Sequence, residues 1–543
     1  MILHPHPETD MSKSVTAVLS ALALTLFQSA YALDIEHVVS FGPGAADTAE
    51  IAAFDPISQR LFVTNPSDNR LERYDLSDPA SPIELSPVDL SPYGAGPNSV
   101  DVANGLVAVA VEADPKTDPG RVVFLDADGN PIDQVTVGAL PDMLAFTPNG
   151  QTLLVANEGE PSDDYTIDPE GSVAIIDLAT PTRGGFSVAF ADFTAFNGAT
   201  LDPSIRIFGP GATVAQDLEP EYIAINESGT TAWVSLQENN ALAVVDIATA
   251  SVTSLIGLGF KDHSLPGNEL DASDRDEAIN LTNWPLLGMY QPDAIDVFTV
   301  AGVPYVLTAN EGDARDYGGF SEEDRADDLT LDPTEFPDAA TLQLDENIGR
   351  VNVTTTLGDT DGDTDYDEIY VYGGRSFSVY NGLTGEQVFD SGSDFENITA
   401  GFGFPFFNDD DGRSDNKGPE PEGITLGTIS GRSYAFIGLE RVSGFFVYDL
   451  TQPNAPIIET FVQGEPGNER PEGVLFVPVN DSPNDQDLLL LTHEDSGTVA
   501  IYTLAAPAAP LNLRAVPALG TAGLLWMILL LMLPALLLVS RGR

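Results

Sequence analysis

The residues able to do chemistry in this chain are carboxylates, and they recur in register. An acidic residue follows the proline in Pro141-Asp142, Pro220-Glu221, Pro292-Asp293, Pro421-Glu422 and Pro471-Glu472, with Asn98 as the exception after Pro97. A second acidic position closes the apolar run that comes next: Glu112, Glu158, Glu238, Glu311, Glu440 and Glu494. On repeated strands each set becomes a ring, and two concentric rings of carboxylates repel unless cations, arginines or water lie between them. Arg315, Arg375, Arg413, Lys417 and Arg441 lie in the loops beside these positions. Together with Glu158, Glu221, Glu238, Glu311, Glu422, Glu440 and Glu472 they form a candidate ligand-binding rim. The competing reading is turn chemistry, in which the same carboxylates accept loop N–H bonds.

A second acidic segment is sharper. Asp359, Asp361, Asp363, Asp365, Asp367 and Glu368 place carboxylates largely at alternate positions around Gly362. That spacing lets one short loop wrap a cation with several oxygens, although the Glu and Gly placements of an EF-hand are missing. The alternatives are Ca²⁺ binding and a solvated acidic turn. The run Asn408 to Gly423 mixes Asp409, Asp410 and Asp411 with Arg413 and Lys417, which suits a rim salt-bridge network or an anion site.

Composition narrows the chemistry. There is no cysteine, which excludes disulfides, thiolate metal sites and cysteine catalysis. Five histidines in 543 residues make imidazole-held zinc or iron an unsuitable expectation, so any metal should be a hard cation held by oxygen, Ca²⁺ first. The 84 acidic against 22 basic side chains leave a formal charge of -62, which excludes nucleic acid as a partner outside a metal-bridged mode. No Ser/His/Asp set, P-loop or histidine metal motif stands out, so the sequence names no catalytic residue. A hydrophobic content of 43% still provides for a sizeable core.

The elements that must position these carboxylates are short β-rich runs. Strand starts at Pro97, Pro141, Pro220, Pro292, Pro421 and Pro471 are each followed by a second run, such as RLFVTN, TLLVANEGE or SYAFIGLER, and mostly by a third, such as GSVAIIDLAT or GFFVYDLT. Glu50 to Phe54 reads as a seventh copy without the proline. Strand, turn, strand, turn, strand at this spacing predicts an all-β fold, a β-propeller over 33–504 with seven blades, or eight if RVNVTTT, DEIYVYGG, SFSVYNG and EQVFDSG make one more. The last copy stops after three strands, and LDIEHVVSFG at the start of the mature chain is free to supply the fourth. Polar insertions near 181–218, 258–291, 312–347 and 395–420 should project as loops, where function usually sits.

The two ends read as targeting segments. Residues 1–32, with Met11 as an alternative start, carry Lys13, an apolar stretch from Val15 to Phe27 and the small-x-small box Ala30-Tyr31-Ala32, which reads as a signal peptide. Residues 521–540 carry no charge and are long enough to cross a bilayer, with Arg541 and Arg543 placing the 541–543 tail in the cytoplasm. A Pro/Ala-rich linker, 505–520, separates this membrane helix from the propeller. Val516-Pro517-Ala518-Leu519, the apolar span and the terminal arginines resemble the bacterial IPTL-CTERM sorting tails, which implies a tail-processing protease as a partner; a retained anchor is the alternative.

The stretches ANEGEPSDDYTIDPEGSVAIID, DLEPEYIAINESGTTAWVSLQENNALAVVDI, TANEGDARDYGGFSEEDR, GDTDGDTDYDE and SDNKGPEPEGI resemble the choice-of-anchor I family of surface propellers, related to the mesenchyme-specific cell surface glycoproteins. The resemblance runs from about 36 to 503 and implies fold, export and anchoring in the bacterial envelope with the propeller outside the cytoplasm, but no reaction. Three functions follow as alternatives: a surface module that holds Ca²⁺ and docks a surface ligand or small molecule; a Ca²⁺-dependent, phytase-like or phosphatase-like phosphoesterase with Arg315, Arg375, Arg413 and Lys417 clamping phosphate; and a passive structural or adhesive protein. His493 stands where the family more usually carries another Asn-Glu pair.

Overall fold

The computed structural model describes residues 33–178 and 186–506. Ile35–Ala505 forms one compact unit; Met1–Asp34 and Ala506–Arg543 group as a second, nearly all of it outside the described residues. The signal segment 1–32, the linker beyond 506, the membrane span 521–540 and the IPTL-like tail all lie outside the described residues. Among the described residues no helix is long and apolar enough to cross a membrane.

The compact unit is a β-propeller. Seven sheets follow the four-strand plan, beginning with Ala52–Asp55, Pro97–Ala103, Pro141–Phe146, Ile223–Ile225, Ile295–Val300, Pro421–Ile429 and Pro471–Val477. These first strands neighbour one another in chain order, and Pro471–Val477 lies beside Ala52–Asp55. Within a sheet the strands pair antiparallel, as in Thr152–Asn157 against Ser172–Asp177. In the first sheet the fourth place is shared by Ile83–Glu84 and Val88–Asp89.

Burial explains the composition of each strand. Second strands such as Leu106–Val111 and Thr152–Asn157 are buried on both faces, because each sheet is covered on two sides by its neighbours, and they read as unbroken apolar runs. Outer strands such as Pro131–Ala139 alternate exposed and buried positions. The hydrophobic clusters accordingly sit between successive sheets; one joins Leu154, Ile175, Ile223, Val234 and Val245.

Asp34–Phe41 pairs as the outer strand beside Thr498–Ala505, completing the sheet whose other strands come from the opposite end of the unit. Val38, Val39 and Phe41 pack on the core around Leu488, Leu490 and Ile501.

The runs offered for an eighth blade are divided differently. Ser376–Asn381 and Gln387–Asp390 complete the sheet begun by Ile295–Val300 and Val303–Asn310. Asn352–Thr354 and Tyr370–Val371 instead join Phe260–Asp262, Leu287–Met289 and Glu323–Arg325 in a mixed five-stranded sheet, where Leu287–Met289 runs parallel to Tyr370–Val371. This inserted sheet has its own core of Leu270, Leu286, Ile348, Val351, Val353 and Ile369. These strands are only two or three residues long, and pooled from two insertions they bury a shared apolar face.

Removing residues 33–42 strips the outer strand from Thr498–Ala505 and exposes an edge. Thermal denaturation followed by circular dichroism should show the truncated protein melting several degrees below the full chain; an unchanged midpoint would mean that the strand contributes no stability.

Candidate functional site

A local backbone device precedes the acidic position in four sheets. Leu140, Gln291, Glu420 and Arg470, each just before the strand-starting proline, adopt φ of 46°, 42°, 49° and 59°. Proline disfavours the helical conformation for the residue before it, and the left-handed region is uncommon outside glycine. The repeated use of this conformation turns the chain into the inner strand at the same point each time. The glycines after Glu422 and Glu472 serve close approach: a Cβ on Gly423 would meet the Glu472 carbonyl oxygen at 2.2 Å, and one on Gly473 the Glu50 carbonyl oxygen at 2.7 Å.

The carboxylates of the inner positions converge, four of them buried and the others half-buried. Glu221 is 8% exposed, Glu238 5%, Glu311 8% and Glu440 6%. Burial, and then Glu238, Glu158, Asp293 and Asp142, push the Glu221 carboxyl well up. Glu422 is raised by burial, then by Glu311, Glu472, Asp293 and Glu440. Glu472 and Glu158 rise for the same reasons. Burial also lifts Asp142 to about 7 and Glu50, the acidic residue of the proline-less copy, to about 8. One oxygen each of Glu221, Glu238 and Glu422 is occluded and has no hydrogen-bond partner. Glu311, Glu422 and Glu440, from three different segments, bring one oxygen apiece within 4.8 Å of one another.

The cations are unevenly shared. Lys417 binds Glu311 and lies 3.7 Å from Glu420 and 3.8 Å from Asp313. Arg441 bridges Glu420 and Glu440, both at 2.9 Å, and Arg413 holds Glu420 at 2.6 Å. Burial alone would raise Glu420, but Lys417, Arg413 and Arg441 outweigh it and hold that carboxyl at about 2. Two residues along, Glu422 has no such partner and moves the other way. Neutralisation is thus concentrated on one carboxylate that sequence reading did not single out.

Arg315 and Arg375 are committed elsewhere. Arg315, fully buried, pairs with Asp217 and, at 2.9 Å, with Glu219, and donates to the Asp217 carbonyl oxygen. Its guanidinium carbon lies 4.5 Å from the centre of the Phe208 ring, with that of Arg206 at 4.0 Å. Arg375 donates to the carbonyl oxygens of Asp271, Ser414 and Asn416 and to Glu396. Its bonds tie insertions together and do not bring it to the carboxylate ring. All four cations assigned to a phosphate clamp are therefore engaged with protein oxygens. His493 is also buried, which pulls its pKa down to about 4, and it contacts the Thr498 carbonyl oxygen.

The acidic loop is separate and more exposed. Asp359 accepts from the Gly362 and Thr364 amides, and Asp367 from the Thr360 amide and hydroxyl. Asp359, Asp361 and Asp367 form one group that could hold an ion; Asp332, Asp365 and Asp367 form another. Asp332, remote in sequence, was not legible as part of this loop. Asp363 belongs to neither group and accepts from the Asp365 amide; Glu368 accepts from the Tyr370 hydroxyl at 2.6 Å.

Beside the ring lies an open cavity of about 650 Å³ lined by Phe406, Glu440, Arg441, Gln463, Glu469 and Arg470. It gives a ligand a route to the Glu440 edge of the ring.

Comparison with known proteins places residues 50–453 within the model of the choice-of-anchor I domain. Gigasin-3a of Magallana gigas is 30% identical over 188 residues, 30% of this chain and 66% of that protein. The mesenchyme-specific cell surface glycoprotein of Strongylocentrotus purpuratus is 28% identical over 307 residues, 49% of this chain and 38% of that protein. The matches thus span less than two thirds of the length of either relative. Among solved structures, Kuenenia stuttgartiensis hydrazine synthase aligns with a TM-score of 0.44 at 12% identity, over 86% of this chain and 97% of that one. The β-propeller domain of Myceliophteria thermophila Cps50 (Swd1) aligns with a TM-score of 0.43 at 10% identity, over 87% and 99%.

The raised carboxyls carry a pH signature. A carboxyl whose pKa is higher in the folded protein holds its proton more tightly there, so stability is greatest below the unfolded value and falls as pH rises through the folded one. With divalent cations chelated, the melting temperature should decline by several degrees between about pH 5 and pH 8, the window set by the ordinary carboxylate range and Glu50. A melting temperature that rises or stays level across that window would show that the ring is already neutralised.

Proposed function

Since the chain belongs to the choice-of-anchor I domain family, we propose that it is an exported, membrane-anchored surface binding module whose binding face is the carboxylate-lined end of the propeller channel. The observation that carries this reading is the set of occluded, unpartnered carboxylate oxygens on buried Glu221 and Glu238 and half-buried Glu422. Leaving such groups unsatisfied costs stability, and a site that keeps them does so for something that arrives from outside. What arrives must be cationic, or must bring a cation with it. Export and anchoring are supported by the leader-like residues 1–32, the apolar span 521–540 and the sea-urchin relative's name as a cell surface glycoprotein.

The phosphoesterase reading draws less support. Arg315, Arg375, Arg413 and Lys417 each already bind carboxylates or carbonyl oxygens, so none of these four is free to clamp a phosphate. The acidic loop, Asp359 to Glu368, is a second place for Ca²⁺, exposed and supported by its two aspartate groups.

Three measurements test the proposal. Full-length protein should fractionate with membranes and become soluble when residues 517–543 are deleted; identical fractionation would remove the anchor. Cells displaying the wild-type protein should retain a surface ligand in Ca²⁺ and release it in chelator, and the variant E221Q/E238Q/E472Q should lose most of that retention. Equal retention by the two would leave the passive structural reading. Hydrolysis of phosphomonoesters that disappears on chelation would favour the phosphoesterase instead.

A further inference from the structure

We propose that Glu311, Glu422 and Glu440 form a Ca²⁺ centre at the channel end, beside the tethered ammonium of Lys417. The inference rests on reading this end of the channel as the binding face, and it names what the face holds.

The three ligands come from separate parts of the fold. Glu311 directly follows Val303–Asn310, Glu422 lies in Pro421–Ile429, and Glu440 directly follows Arg432–Leu439. Strand pairing ends at Asn310 and Leu439 and spans Pro421–Ile429, so the three backbones are anchored close together and one oxygen of each carboxylate lies within 4.8 Å of the others. Neighbouring sheets point the same way. Glu221 and Glu238, 8% and 5% exposed, each keep one occluded oxygen without a partner, and Glu422 does the same within the triad. In the acidic loop Asp367 accepts both the Thr360 amide and hydroxyl, although one Asp365 oxygen is left without a partner there too; in the ring such an oxygen recurs on Glu221, Glu238 and Glu422.

The available cations do not complete the job. Lys417 reaches Glu311, and Arg441 reaches Glu440, but both are shared with Glu420, and no ion pair is found for Glu422 among the described residues. The donor set is oxygen throughout, since the chain has no cysteine and both buried histidines bond elsewhere, His263 to the Asn268 carbonyl oxygen and His493 near Thr498. Hard oxygens select Ca²⁺, Mg²⁺ or Mn²⁺. Ca²⁺ accepts an irregular set of oxygens, whereas Mg²⁺ demands a near-ideal octahedron and keeps several waters, so carboxylates brought in from three separate segments suit Ca²⁺.

The test is calorimetric titration of full-length protein in detergent, first stripped with EDTA, with CaCl₂ and separately with MgCl₂. Wild type should show a saturable Ca²⁺ site that Mg²⁺ fills poorly. E422Q and E440Q should each weaken that site by about tenfold or more, while D361A/D363A, in the acidic loop, should leave it intact. E422Q should also melt no lower than wild type in EDTA, because glutamine keeps the size and polar atoms of the side chain and adds no charge to the acidic ring, which separates loss of a ligand from loss of fold. The inference is overturned if E422Q titrates like wild type, if D361A/D363A alone abolishes binding, or if wild type takes up no Ca²⁺. In each of those cases ligand retention that still depends on Glu221, Glu238 and Glu472 would keep the binding face and reject only this ion.

Discussion

Like-charge repulsion around the channel axis is the constraint on which the rest of this structure turns. A propeller places equivalent positions of successive sheets on a circle, so a preference repeated along the chain becomes a concentration in space. Here the repeated preference is for Asp or Glu at the start of the inner strand or two residues before it. Burial removes the water that would screen those charges, and each carboxylate then raises its neighbours. Such an arrangement persists only if protons, protein cations or bound ions offset it.

Protein cations offset it locally. Glu420 collects Arg413, Lys417 and Arg441 and stays ionised, whereas Glu422, which feels Lys417 without pairing with it, is dominated by burial and its acidic neighbours. The remaining buried arginines are spent on insertions: Arg206 and Arg315 flank Phe208 while pairing with Glu322 and with Asp217 and Glu219. Arg350 spans Asp274 and Asp415. Buried pairs of this sort add little net stability over apolar packing, but losing one partner is costly, so they hold the loops in one arrangement. With so few basic residues, what is used on the loops is withheld from the ring.

The blade pattern was legible because strand period, proline starts and apolar second strands are local signals repeated many times. The pairing of Asp34–Phe41 with Thr498–Ala505 could be anticipated from a last repeat one strand short. The inserted mixed sheet could not: DEIYVYGG reads as a strand and contains Tyr370–Val371, but Leu287–Met289 is too short to signal one, and their pairing is set by distant partners. Residue type and spacing found the ring carboxylates, yet they could not tell Arg413 from Arg375, since charge says nothing of direction. Asp332 was missed because it reaches the acidic loop from outside it. Nor does sequence separate Glu420 from Glu422, two residues apart with opposite electrostatic fates.

The central claim is that the ring's charge is offset by exchangeable cations in competition with protons. It is tested most directly by counting protons released when Ca²⁺ binds the full-length protein at pH 7, from binding enthalpies in buffers of different ionisation enthalpy. Protonated ring carboxyls predict a net proton release on each binding event that shrinks as pH is raised. Binding enthalpies identical in all buffers, with no proton released, would contradict the account.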